Sequence, residues 1–253
     1  LAVFHAAPLH TADADATGII VIVNVGEQNL QGAVLLALGG GDIIDNSLKE
    51  GDQIGAQLII SHHPLIFSGI KRMDGHDGTS RKVISLLQND IAVMSFHTRL
   101  DAADGGVNDI LASLLSLSDV KKFGVDGDTA ARIGTLPKPM AFEDFCRLCK
   151  DILGAPSVCG AKGGDTVSRL AVLGGSGKDY IREAQKMGAD TYLTGEVNYN
   201  YLLEAAENGL SVVTAGHYHT EDPSLAFFVK TLTEAFGEFE FVRFPDGCEF
   251  FYC

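Results

Sequence analysis

Short apolar runs alternate along this chain with longer stretches whose apolar positions recur every three or four residues. The first kind reads as buried strand and the second as amphipathic helix, because side chains repeat every two residues in a strand and about every 3.6 in a helix. Strands are expected at 19–25, 34–38, 57–61, 92–96, 169–173, 191–194 and 211–215, and helices at 80–88, 107–115, 142–153, 179–187 and 199–207. This is the pattern of βα units, so the expected class is α/β, with mixed, largely parallel sheets flanked by helices. The C-terminus departs from it: 239–244 and 249–252 flank Pro245-Asp246-Gly247, which reads as a β-hairpin with Asp-Gly at its turn.

A weak repeat runs beneath the alternation. Val34-Leu35-Leu36-Ala37-Leu38-Gly39-Gly40 resembles Leu170-Ala171-Val172-Leu173-Gly174-Gly175, and Gly55 to His63 matches Gly188 to Glu196. After the next helix His97 with Asp101 corresponds to His217 with Glu221, in the same His-x-x-x-carboxylate spacing. The competing reading is that any two βα units look this similar. The repeat argues for two related lobes, 1–125 and 126–253, with the second beginning in the least periodic stretch, 121–128, and with a site between the lobes where equivalent strand ends face each other.

Composition narrows the partners. The 253 residues are 46% hydrophobic and 21% charged, ordinary for a folded chain. A formal charge of −14 argues against a nucleic-acid backbone, which Lys and Arg would have to meet. An anionic small molecule such as a nucleotide then needs a local positive centre, and bound metal ions supply one. The longest apolar run, 33–38, is far too short for a bilayer, and residues 1–16 carry no basic stretch ahead of an apolar one. Five scattered cysteines, an odd number, fit reduced thiols and a cytoplasmic setting.

The candidate chemistry sits in Ser61-His62-His63-Pro64, His97-Thr98-Arg99-Leu100-Asp101 and His217-Tyr218-His219-Thr220-Glu221. Each follows an expected strand, and the carboxyl ends of strands are where α/β folds bind ligands. Imidazoles and carboxylates converging there suit one or two divalent metals. Imidazole serves zinc, iron, nickel or copper, and carboxylate oxygen also admits manganese or magnesium. Adjacent histidines on a strand point to opposite faces, so His62 and His63 share a site only where the strand gives way to a loop, a change that Pro64 favours. Asp101 also reads as a cap or turn residue, and His97 as a residue that orients a ligand, as a ligand, or as a proton carrier. Glu196, placed opposite His63 by the repeat, is a second candidate proton carrier, with plain surface placement as the alternative. His219 is expected beside the site, and His5, His10 and His76 at the surface.

Other motifs point elsewhere. Gly39-Gly40-Gly41 and Gly174-Gly175-Ser176-Gly177-Lys178 read as tight turns before helices rather than phosphate loops, the second lacking the first Gly and the Ser or Thr of a Walker motif. Cys146-x-x-Cys149 has no second pair to complete a zinc site and reads as core. No Gly-x-Ser-x-Gly elbow is present, which lowers serine-hydrolase chemistry.

On Ser61-His62-His63-Pro64-Leu65-Ile66-Phe67, His97-Thr98 with Leu100-Asp101 and Gly105-Gly106-Val107-Asn108, and Gly216-His217-Tyr218 with Thr220-Glu221, the chain resembles the GTP cyclohydrolase 1 type 2 family, also called Nif-three-like. The resemblance runs from about Val34 to Phe236. It departs at Leu38-Gly39-Gly40, where that family commonly carries an Asp. It implies a two-lobed α/β fold, a toroidal homohexamer and a dinuclear metal site with His62, His63, Asp101, His217 and Glu221 as ligands, Glu221 bridging. The expected function is a dinuclear divalent-metal hydrolase using Zn, Fe, Mn or Ni, with GTP or a related nucleotide as candidate substrate and His97 and Glu196 as candidate proton carriers. The alternative is a non-catalytic metal-binding adaptor or metallochaperone.

Overall fold

A computed structural model describes the backbone of Ala33–Ala37 and residues 56–243 in full. The described residues divide into two compact units, one holding the residues up to His97 together with those from Phe228 onward, the other Thr98 to Phe227. No helix among the described residues is long and apolar enough to cross a membrane.

The first unit holds β1 (Ala33–Ala37), β2 (Leu58–Ser61), α1 (Gly78–Gln88) and β3 (Ala92–Ser95). Its sheet also takes in β10 (Glu240–Arg243), in the all-parallel order β10-β1-β2-β3. Asp77 starts α1 by accepting the Ser80 amide at 2.9 Å, a side-chain cap on an otherwise orphaned donor. Ile59, Leu86 and Ile91 form the core here, with Leu65, Val93 and Val242 packed against them. The expected first arm of a C-terminal hairpin is therefore β10, laid parallel against β1, while the second arm and the strand expected at 19–25 lie outside the described residues.

In the second unit the chain runs through α2 (Thr98–Ala102), α3 (Val107–Leu114), β4 (Ser118–Phe123), β5 (Ala131–Ala141), α4 (Phe142–Leu153), β6 (Cys159–Ala161) and β7 (Thr166–Ser176). After a 3-10 turn at Lys178–Tyr180 come α5 (Ile181–Lys186), β8 (Thr191–Glu196), α6 (Tyr199–Glu207), β9 (Ser211–Thr214) and α7 (His217–Glu221), and α8 (Pro223–Ala235) leads the chain back to the first unit. The sheet order is β4-β5-β7-β8-β9-β6, parallel through β7-β8-β9 and antiparallel at both margins.

Alternation within the central strands builds a core on each face of this sheet. Leu170, Val172, Leu193 and Val213 enter one core with Phe142, Phe145 and Cys149 of α4. Their neighbours Ala171, Leu173, Tyr192 and Val212 enter the other with Ile181 and Ala205. Burial on both faces is why these strands carry adjacent apolar residues rather than strict alternation. Burial also pushes the Cys149 thiol far above its ordinary range, consistent with a packing role for that cysteine.

The three parallel strands β1-β2-β3 and β7-β8-β9 follow the same succession. Ser61 pairs with Ala37 on one side and Ser95 on the other, as Thr194 pairs with Leu173 and Thr214. Shortly after the third strand of each set comes a five-residue helix, α2 or α7, that carries a carboxylate four residues after a histidine.

Candidate metal centre

β2 ends at Ser61, and His62 and His63 lie in the bend that follows. Leaving the strand frees both side chains from opposite-face alternation, and the Ser61 hydroxyl fixes the bend by donating to the His63 carbonyl at 2.9 Å. Since its proton is committed there, Ser95 is the donor in the 2.8 Å hydroxyl pair with Ser61. His97 arrives from the end of β3. The rings of His62 and His63 stand 5.0 Å apart, and His97 lies 5.2 Å from the first and 5.0 Å from the second. Each offers a nitrogen within 4.8 Å of the other two, His62 buried and the others half-buried. Exposed Phe67 sets its ring edge-on to His97 at 6.4 Å.

The second unit gathers a different donor set. Gly216, at φ +90, turns the chain from β9 into α7 and puts His217 at its first position and Glu221 at its last. His217 Nε2 lies 3.1 Å from Glu221 Oε1, and its Nδ1 lies 2.7 Å from Glu196 Oε1. Hydrogen bonding to the Glu221 carboxylate, opposed by partial burial and helped by Glu196, pushes His217 up to about 9. The Glu221 side chain is only 5% exposed. A buried carboxylate needs a positive partner, and in this arrangement the proton between Glu221 and Nε2 supplies it. A divalent cation suits the same place, because with Nδ1–H given to Glu196 the Nε2 lone pair is turned toward the carboxylate.

Glycines make room for this pair. Gly174 and Gly175, expected in a tight turn, instead extend β7, and Gly175 has φ +70. A Cβ there would overlap Glu221 Oε1 and stand 3.0 Å from His217 Nε2. One at Gly195 would meet the Gly175 carbonyl at 2.5 Å and the His217 Cα at 2.8 Å. Thr220 Oγ1 accepts the Gly175 amide at 3.0 Å, and fully buried Asn108 accepts that of Gly174 at 2.7 Å. The strand end is thereby fixed against α7.

Of the expected site residues, His62, His63 and His97 come together in one unit, and His217, Glu221 and Glu196 in the other. Asp101 lies on α2, half-buried, with Asn108 Nδ2 donating to its backbone carbonyl at 3.4 Å. His219 packs edge-on to Tyr218, His76 is exposed, and His5 and His10 lie outside the described residues.

The Duf34/NIF3 (NGG1p interacting factor 3) family model matches residues 4–245. The chain belongs to this family. A Clostridium perfringens relative named GTP cyclohydrolase 1 type 2 homolog is 34% identical over 197 residues, covering 76% of this chain and 74% of its own. Among solved structures, a Bacillus cereus protein related to NIF3 shares the fold at a TM-score of 0.78 and 22% identity, covering 87% of this chain and 89% of its own. Reduced HcgD from Methanocaldococcus jannaschii matches at 0.72 and 29% identity, with 85% of each chain covered.

In this Duf34/NIF3 chain the roles that sequence reasoning missed are ones exerted through space or backbone. Thr220 and the β7 glycines carry no ligand chemistry. Their only signal was the presence of Gly174-Gly175 and Gly195 at two neighbouring strand ends, where side chains are excluded by a close neighbour.

Proposed function

We propose that this chain is a divalent-metal-dependent hydrolase of small molecules, with His62, His63, Asp101, His217 and Glu221 as ligands of two ions. The observation that carries the reading is the His217–Glu221 pair: a buried carboxylate and an imidazole nitrogen 3.1 Å apart, beside a glycine that leaves their flank open. The three converging imidazoles of His62, His63 and His97 support it with a donor set suited to zinc, iron or nickel, and the carboxylates of Asp101 and Glu221 would also admit manganese. Divalent ions bound there supply polarisation of the substrate and a more acidic water, the chemistry of dinuclear hydrolases.

The chain's own groups divide the remaining work. Glu196 holds Nδ1 of His217 and so keeps Nε2 turned toward Glu221. Exposed and close to the ligands, Glu196 also serves as a proton carrier, as does half-buried His97. The names of the curated relatives support GTP or a related nucleotide as substrate, with opening of the guanine imidazole ring as the reaction to test first. The assembly proposed is a homohexamer. The family's description as an interacting factor favours a second reading, an adaptor that holds the metal without a chemical step.

Metal content of protein purified without chelator, followed by a hydrolysis screen over nucleotides and cyclic amides, separates these readings. About two metals per chain with turnover of one substrate class is the expected result. Metal without turnover favours the adaptor, and protein that takes up no metal under any condition overturns both.

A further inference from the structure

Helix α2 is a single turn, and a helix that short does not sustain itself, because nucleation outweighs the few hydrogen bonds it closes. The last carbonyls of a helix also lack partners within it. Here donors from elsewhere in the unit meet them. Arg132, on β5 and fully buried, sends Nη2 to the carbonyls of Ala102 at 3.3 Å and Ala103 at 2.9 Å. Its Nη1 donates to Thr129, Ala130 and Ala131 at 2.8, 2.9 and 3.2 Å, and its Nε to the Asp109 carboxylate on α3. Lys122 Nζ reaches the Ala102 carbonyl at 2.8 Å and Asp104 at 2.6 Å. Asn108 donates to the Asp101 carbonyl and, through Oδ1, holds the Gly174 amide beside the His217–Glu221 pair.

We propose that Arg132 is a positioning residue of the metal site: with Lys122 and Asn108 it clamps α2 so that Asp101 presents its carboxylate as a ligand. The proposal rests on Asp101 being a ligand. Only a guanidinium fits the role, since its planar fork of five N–H groups serves carbonyls on two sides and a carboxylate at once, where an ammonium carries three donors on one atom.

The test is a double-mutant cycle on the full chain, with zinc alone as probe and affinity read by competition with a chromogenic chelator. Arg132→Lys is expected to weaken zinc binding about ten-fold or more, the usual effect of losing a group that orients a ligand, while circular dichroism stays that of the parent. Asp101→Asn is expected to weaken it too, and adding Arg132→Lys to Asp101→Asn should cost nothing further, because no ligand is left to position. Unchanged affinity in Arg132→Lys, or an equal loss in both backgrounds, overturns the clamp. Unchanged affinity in Asp101→Asn instead overturns the ligand assignment, and the clamp with it. Should Arg132→Lys fail to fold, Lys122→Met on the same Ala102 carbonyl decides by the same cycle.

Discussion

Replacing Gly175 with Ala tests whether the end of β7 is shaped by the pair it faces. The backbone there has φ +70, and left-handed geometry costs a non-glycine residue roughly 1–2 kcal/mol. The new Cβ would also overlap Glu221 Oε1 and sit 3.0 Å from His217 Nε2, both on a short helix braced by Thr220. Overpacking of this kind adds about 1–3 kcal/mol. Gly188 is the internal control, because it has φ +81 but a Cβ there would find no atom within 4 Å, so Gly188→Ala bears the conformational cost alone. At roughly 2–4 °C per kcal/mol for a chain of this size, Gly175→Ala is expected to melt about 10 °C below the parent and Gly188→Ala about 4 °C below it. Zinc affinity should fall about 10- to 100-fold in Gly175→Ala, since Glu221 and His217 must move, and stay at the parental value in Gly188→Ala. Scanning calorimetry of the metal-free proteins and chelator competition read both quantities. Equal losses of stability in the two variants, or parental zinc affinity in Gly175→Ala, would refute the close-approach argument.

Glu221→Gln keeps the shape and removes the charge, and is expected to abolish turnover and weaken metal binding; full activity at full metal occupancy would remove Glu221 from the site. Because the His217 pKa is raised to about 9, its proton contributes stability to the metal-free protein that is fully present below about 6.5 and lost as pH rises through about 9, a trend that apo melting temperatures from pH 6 to 10 should follow and Glu221→Gln should flatten. Metal must displace that proton, so zinc binding at pH 7.5 should release about one proton from this residue, read calorimetrically in buffers of different ionisation enthalpy; zinc affinity that does not change between pH 7 and 9 would exclude His217 as a ligand. Burial opposes ionisation of Asp109, but the Arg132 hydrogen bond and the Gly105 amide outweigh it and hold the carboxyl below its usual range. That contribution is present at neutral pH and lost as pH falls below about 4, so the stability gap between the parent and Asp109→Asn should close in acid. Phe67→Ala is expected to raise KM for a ring-bearing substrate without changing metal content, since Phe67 stands exposed beside His97.

What the sequence disclosed follows from which elements are buried. β7, β8 and β9 lie between two cores and carry adjacent apolar residues rather than alternating ones, so their positions were legible to within a few residues. β4 was not. It is an edge strand with only Phe123 buried, and its Lys121 and Lys122 are the charged residues that edges commonly carry, so 121–128 read as aperiodic. β5 hid for another reason: its pairing shifts between Thr135 and Met140, where Pro137 and Pro139 interrupt the ladder and break the alternation. The histidines and carboxylates of the candidate site were visible as residue types, but Arg132 looked like any arginine because most of its hydrogen bonds go to carbonyl oxygens, which no sequence pattern marks.

The divergence of the two strand sets is informative in itself. Where β2 ends in His62 and His63, the equivalent end of β8 is Gly195 and Glu196. A second imidazole pair at that position is sterically excluded, since even a Cβ at Gly195 would meet the His217 backbone. This strand end instead lets α7 approach and turns an exposed carboxylate onto Nδ1 of His217. One set thus carries imidazoles directly after its second strand, while the other uses that strand to seat and orient the histidine that follows its third. A glycine at a strand end decides this difference, because it sets which neighbour is able to reach that end.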